Sequence, residues 1–286
     1  MPDITRLHIP VRAVSLSNVD VRNIFERLLA IVVASGNRDA AAWVKPPEEA
    51  QDAFDQRRQN AIASAYRVTV TIKGTNGSEL YGDSANIFSS PDLPEVVENV
   101  FMTNTVAFAS FTGGRNPAET FSLFLDFSKP PLLDGSNLPS SPTPNASELD
   151  IAGSVPWVST IKDAVERTLA VRKNSRGRLH ISMIYDLGLM VIALPLALYG
   201  CWKLSPYVSA IFGSLSMFLV GAVYLYIVLS GLWIYRAMFG YLKWAFPIVE
   251  HTDTSSAGKH RKFWLAILGV ILIPIAIDLF RTRFWE

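Results

Sequence analysis

The chain has 286 residues, half of them hydrophobic and only 18% charged, with a mean hydropathy of +0.25. Its formal charge of +1 is unevenly spread: residues 1–150 hold 12 Lys/Arg and 18 Asp/Glu, net −6, whereas residues 151–286 hold 14 and 7, net +7. The acidic half excludes a nucleic-acid face, which needs clustered Lys/Arg, and the single cysteine, Cys201, excludes an intrachain disulfide and a thiolate metal site.

No secretory signal is expected, because the first apolar stretch, Leu28–Ala34, is short and follows Arg22, Glu26 and Arg27. Leu7, Ile9 and Val11 alternate with charged residues, the period of a strand with one face covered. Ser17-Asn18-Val19-Asp20 reads as a helix start, and Val21, Ile24, Phe25, Leu28, Leu29 and Val32 follow at helical spacing, with Gly36 as a stop. A second helix is expected after Pro46-Pro47, with a thin apolar face of Phe54, Ala61 and Ile62. Tyr66, Val68, Val70 and Ile72 mark the clearest strand, Asn76-Gly77 a hairpin turn, and Glu79–Phe88 a shorter returning strand.

Ser90-Pro91 has the form of an N-cap and first helical residue, so a helix is expected through Val96, Val97, Val100 and Phe101. Thr103–Phe111 reads as a strand, Thr112–Pro117 as a turn, and Phe121, Leu123, Leu125 and Phe127 as a last strand. The order predicts an α+β domain over residues 1–128 with an antiparallel sheet. Its first six main elements match the split βαβ order of ferredoxin-like folds.

Residues 129–150, rich in proline and serine, read as a linker or long loop. Residues 151–180 hold a juxtamembrane helix opened by Pro156. From 181 onward the chain is membrane-like. Leu204–Tyr235 is 32 residues without a charge, beyond the roughly 20 needed to cross a bilayer. Three spans are expected, at 181–202, 207–235 and 263–280, the first two joined by a tight turn at Lys203–Pro206. Arg236–Val249, rich in aromatic residues, suits the headgroup zone. Ala193/Ala197 and Ser209/Gly213 have the four-residue spacing that lets helices approach.

Basic residues set the expected orientation. Arg167, Arg172, Lys173, Arg176 and Arg178 precede the first span, and Arg236, Lys243, Lys259, Arg261 and Lys262 lie between the second and third; only Lys203, Arg281 and Arg283 fall on the other side. The α+β domain is therefore expected in the cytoplasm and the C-terminus outside, as in a multi-pass protein of the cell membrane. Arg172, Lys173, Arg176, Arg178, Lys259, Arg261 and Lys262 are the expected headgroup anchors.

Two intramembrane acids are the candidates for function. Asp186 within a span is costly, although it lies close enough to Ile181 to reach the headgroups. Asp278 stands three residues before Arg281, the spacing of a local helical pair. The remaining strings are weaker. Ser159–Lys162 and Ser256–Lys259 have the SxxK form without its companion motifs, and Gly113-Gly114-Arg115 reads as a turn before an anion nest. The four histidines show no metal spacing, and the acceptor strings at Asn76 and Asn145 would stay bare in the cytosol. No catalytic, cofactor-binding or metal residue is assigned and no cofactor is expected. The sequence thus describes a non-enzymatic membrane protein whose cytoplasmic domain senses a signal, binds an unidentified cytoplasmic protein or self-associates. The alternative is an oligomeric pore, transporter or effector gated by that domain; a tethered enzyme would need a polar cleft.

Overall fold

The computed structural model describes residues 4–130, 143–214 and 216–253, together with scattered positions between 258 and 277. The chain divides into two compact units. One comprises Met1–Ser128, Asn145–Ser175 and Ile248–Ser255; the other comprises Lys129–Pro144, Arg176–Pro247 and Ser256–Glu286.

The first unit is an antiparallel sheet domain. Strand β1 (Thr5–Pro10) is followed by the short β2 (Val14–Leu16) and two helices, α1 (Asn18–Ala41) and α2 (Gln51–Ala65). The hairpin β3 (Thr69–Gly74) and β4 (Glu79–Gly82) leads to β5 (Val97–Thr103), α3 (Thr105–Thr112) and β6 (Thr120–Asp126). Strand β7 (Glu148–Gly153) and helix α4 (Val155–Val171) close the run, and β8 (Val249–His251) comes much later in the chain. Six strands form one sheet in the order β1-β7-β6-β5-β3-β4, every neighbouring pair antiparallel, while β2 and β8 pair in parallel.

Alternation sorts the sheet into two faces. Phe121, Leu123 and Leu125 of β6 and Leu149 and Ile151 of β7 are buried, joining Ile24, Phe25 and Leu28 of α1 and Trp157, Ile161 and Val165 of α4 in one core. Burying each such side chain stabilises the fold by roughly 1.5–3 kcal/mol. The other face stays partly exposed. Helix α1 opens on a capping box: the Asp20 backbone N–H donates to Ser17 Oγ at 3.2 Å, and the Ser17 N–H donates to Asp20 Oδ2 at 2.9 Å. It then continues through Gly36 instead of stopping there. A Cβ at position 36 would lie 2.4 Å from Cγ of Tyr66, so glycine serves close packing here.

Three expectations for this unit are corrected. The segment after Ser90-Pro91 is a strand, not a helix: Ser90 Oγ does accept from the Asp92 N–H at 3.2 Å, but Pro94 stops the turn and the valines that follow enter the sheet as β5. The strand expected at Thr103–Phe111 is instead α3, closed by Gly113 in the left-handed region at φ 72°. The split βαβ order is not formed either. Strands β1 and β3 run parallel, but three strands separate them, where a split unit inserts one. In addition, β7 begins at Glu148, inside the stretch read as linker, and sits between β1 and β6.

Among the described residues, the second unit contains two helices long and apolar enough to cross a bilayer, Ser182–Phe212 and Met217–Ala245. At 1.5 Å per residue they are about 46 and 44 Å long, more than the roughly 30 Å hydrocarbon core. The first carries a π-helical turn at Leu189–Ala193, where Pro195 supplies no N–H to the ladder. The turn expected at Lys203–Pro206 is corrected: the helix passes through both residues and ends at Phe212, and the chain reverses by Ser216. Pro206 removes one hydrogen bond without ending the helix. Lys203 lies over the rings of Trp202 and Tyr199, at 5.0 and 5.5 Å. The two helices meet where small residues allow it, with Ala197 Cβ 3.1 Å from where a Cβ on Gly231 would be. Most of the third expected span lies outside the described residues; among the described residues two helices, not three, are long and apolar enough to cross a bilayer.

Candidate functional site

Two features of the first unit stand out. The first is a junction built on β2. Its N–H groups point alternately to either side, and each side holds a different part of the chain. Before residues 176–247 leave the unit, the Ser15 N–H donates to Arg172 O at 3.1 Å, the Asn174 N–H donates to Ala13 O at 2.7 Å, and Asn174 Nδ2 donates to Ser15 Oγ at 2.9 Å. Where the chain returns, β8 pairs Val14 with Val249, Ser15 with Glu250 and Leu16 with His251. The Val14 N–H donates to Ile248 O at 3.2 Å, and the Thr252 N–H donates to Leu16 O at 2.8 Å. Neighbouring strands are about 4.8 Å apart, so outgoing and incoming chains stand roughly 10 Å apart, close to the 8–10 Å between packed helices. Ala13, with φ of 58°, turns the chain into this junction.

Polar groups reinforce it. Asp253 Oδ2 accepts from the Asn18 N–H at 2.7 Å, and His251 Nε2 lies 3.0 Å from Asn18 Oδ1. Arg172 Nε donates to the buried Asp20 at 2.9 Å. Burial pushes the Asp20 carboxyl up, but the Ser17 and Arg172 hydrogen bonds outweigh it and hold it below the usual range. His251 is buried, and burial lowers its pKa against the opposing pull of Asp253 and Glu250. The unfolded chain binds this proton near pH 6.5 and the folded chain only at lower pH, so this contribution to stability falls as pH drops below about 6.5. Thermal melts of the full chain in detergent should show a smaller loss between pH 7.5 and 5.5 for His251→Gln than for the unsubstituted protein. An unchanged loss would contradict the assignment.

The second feature is the open face of the sheet. One cross-strand row runs over all six strands: Pro10, Glu148, Phe124, Phe101, Thr71 and Tyr81. The Phe101 and Phe124 rings are 6.5 Å apart, half-buried on that face. In the next row His8 faces Asp150, with His8 Nδ1 2.7 Å from Asp150 Oδ1 and Nε2 3.9 Å from Glu148 Oε2. The bond to Asp150 raises the pKa of this exposed histidine. Beside it lies an open groove of about 510 Å³ lined by Arg6, His8, Phe101, Thr120, Ser122 and Asp150, among others.

The residues singled out from sequence fall in several places. Arg172 is tied to Asp20, and Lys173 forms a bridge with Val14, so both belong to the junction. Arg176 and Arg178 lie in a 3-10 turn ahead of the first long apolar helix. Arg261 Nε donates to Ala245 O at 3.1 Å, near the end of the second, and lies over the Phe246 ring at 5.3 Å. Lys262 is exposed. Asp186 is exposed on the first long apolar helix, about one turn from Ser182. Asp278, Lys259 and the Arg281 side of the expected pair lie outside the described residues. His180 is buried, its ring nitrogens 2.8 Å from Thr143 Oγ1 and 2.7 Å from Phe246 O. His8, Glu148 and Asp150 were not legible as a group, since spacing along the chain is blind to partners 142 residues apart.

No protein family matches the chain, and no curated protein or solved structure is significantly similar to it.

Proposed function

We propose that the protein is an integral membrane protein whose α+β domain lies in the cytoplasm as a sensing or protein-interaction module, anchored by a helical hairpin. One observation carries the reading. The chain leaves the domain after Ser175 and re-enters it at Ile248, and both ends are held on opposite edges of β2. Both ends of the intervening helices therefore belong on one side of the bilayer, which needs an even number of crossings. Two apolar helices supply it. The cluster Arg172, Lys173, Arg176 and Arg178 favours the cytoplasmic side for those ends.

The open sheet face is the surface for a protein partner in this reading. Phe101, Phe124 and the 58% exposed Tyr81 form an aromatic row bordered by Glu148 and, in the rows beside it, Asp126 and Asp150. Aromatic anchors ringed by polar groups are the usual composition of an interface centre. Affinity capture of the full chain from solubilised native membranes tests it. A protein enriched with the unsubstituted chain and lost with Phe101→Ser/Phe124→Ser is expected. An identical set recovered with both chains would contradict the assignment.

A further inference from the structure

We propose that His8, Glu148 and Asp150 form a three-ligand site for a divalent transition metal ion, zinc being the best match. The three residues each offer one donor atom, and these atoms lie within 4.8 Å of one another. They are presented by two hydrogen-bonded strands. Glu148 and Asp150 are two apart on β7 and so share a face, and His8 stands directly opposite Asp150 on β1. Strand β7 is bonded on both sides, to β1 and to β6, which makes it a firm base for two of the three ligands.

The chemistry of the set selects the ion. One imidazole and two carboxylates suit zinc and its neighbours better than calcium or magnesium, which take oxygen ligands. Zinc–nitrogen and zinc–oxygen bonds of about 2.0–2.2 Å put tetrahedral ligand atoms about 3.4 Å apart. One ring nitrogen of His8 would take the ion; through Nδ1, its 2.7 Å contact with Asp150 Oδ1 would open, and the donor atoms, which lie within 4.8 Å of one another, would draw together to that spacing. Both adjustments are within side-chain rotation at an exposed site.

His8 and Asp150 also line the open groove that holds Ser122 and Thr120, so water or a small anion has room beside the ion. This inference does not rest on the membrane reading, so either can fail alone.

The test is calorimetric titration of zinc chloride into the full chain, purified in detergent and stripped with a chelator. One ion per chain is expected. His8→Ala and Glu148→Gln should each weaken binding at least about tenfold while the far-ultraviolet circular dichroism is unchanged. If His8→Ala does not fold, Asp150→Asn replaces it. The site is overturned by an absence of zinc binding, or by either variant binding zinc as the unsubstituted chain does; the latter would place the ion elsewhere and leave a plain cross-strand ion pair here.

Discussion

Val249→Asp is expected to destabilise the α+β unit by several kcal/mol, on the order of 3–5, the cost of an uncompensated charge in a packed interior. Val249 is 2% exposed and lies beside Val14, itself 3% exposed, in the parallel pair between β8 and β2. A carboxylate there has no basic partner in the β2–β8 register, and it would either remain charged at that cost or take up a proton. The consequence is local before it is global. Once β8 detaches, the Val14 N–H loses Ile248 O and Leu16 O loses the Thr252 N–H. Hydrogen exchange should therefore accelerate over residues 248–252 by a larger factor than over β6, and proteolysis should appear between Pro247 and Ser255. Val249→Thr keeps the shape and buries one hydroxyl, so about 1–3 kcal/mol is expected for it. If Val249→Asp leaves melting and exchange as they were, β8 does not hold the domain.

The parts of the fold legible in the sequence are those whose signals are local and continuous. Ser17 and Asp20 announce α1 through a cap formed within four residues. The alternation of Phe121, Leu123 and Leu125 needs only β6 itself. The two long apolar helices declare themselves by length and composition. The errors came from local signals outvoted by others. Ser90-Pro91 has every mark of a helix start, yet Pro94 and the valines beyond it favour a strand. Lys203 and Pro206 look like a turn, but an aromatic-shielded lysine and one missing hydrogen bond are tolerated within a long helix.

Other features are non-local and had no signal to read. Strand β7 contributes only Leu149 and Ile151 to the core and follows a proline-rich stretch that masks it. Strand β8 is three residues long and continues an aromatic segment that reads as interfacial helix. Its partner lies 235 positions earlier, and pairing at that separation leaves no period in either segment. The same holds for His8 and its carboxylates, brought together only by the β1–β7 register. Asp186, the sharpest candidate in sequence, proves to be an exposed residue near one end of a helix. The junction on β2, which no residue pattern suggested, holds residues 172–174 and Val249–His251 within the domain.

Because Cys201 is the only cysteine, Cys201→Ser leaves a chain without thiols in which single cysteines report their side of the bilayer. Ser216→Cys sits in the turn between the spanning helices, and Asn60→Cys is exposed on α2 of the domain. Treated with a membrane-impermeant maleimide, intact cells should label Ser216→Cys, and Asn60→Cys should react only after permeabilisation. Both positions reacting from the same side would contradict the crossing itself. Reaction of Asn60→Cys alone in intact cells would contradict the cytoplasmic placement of the domain.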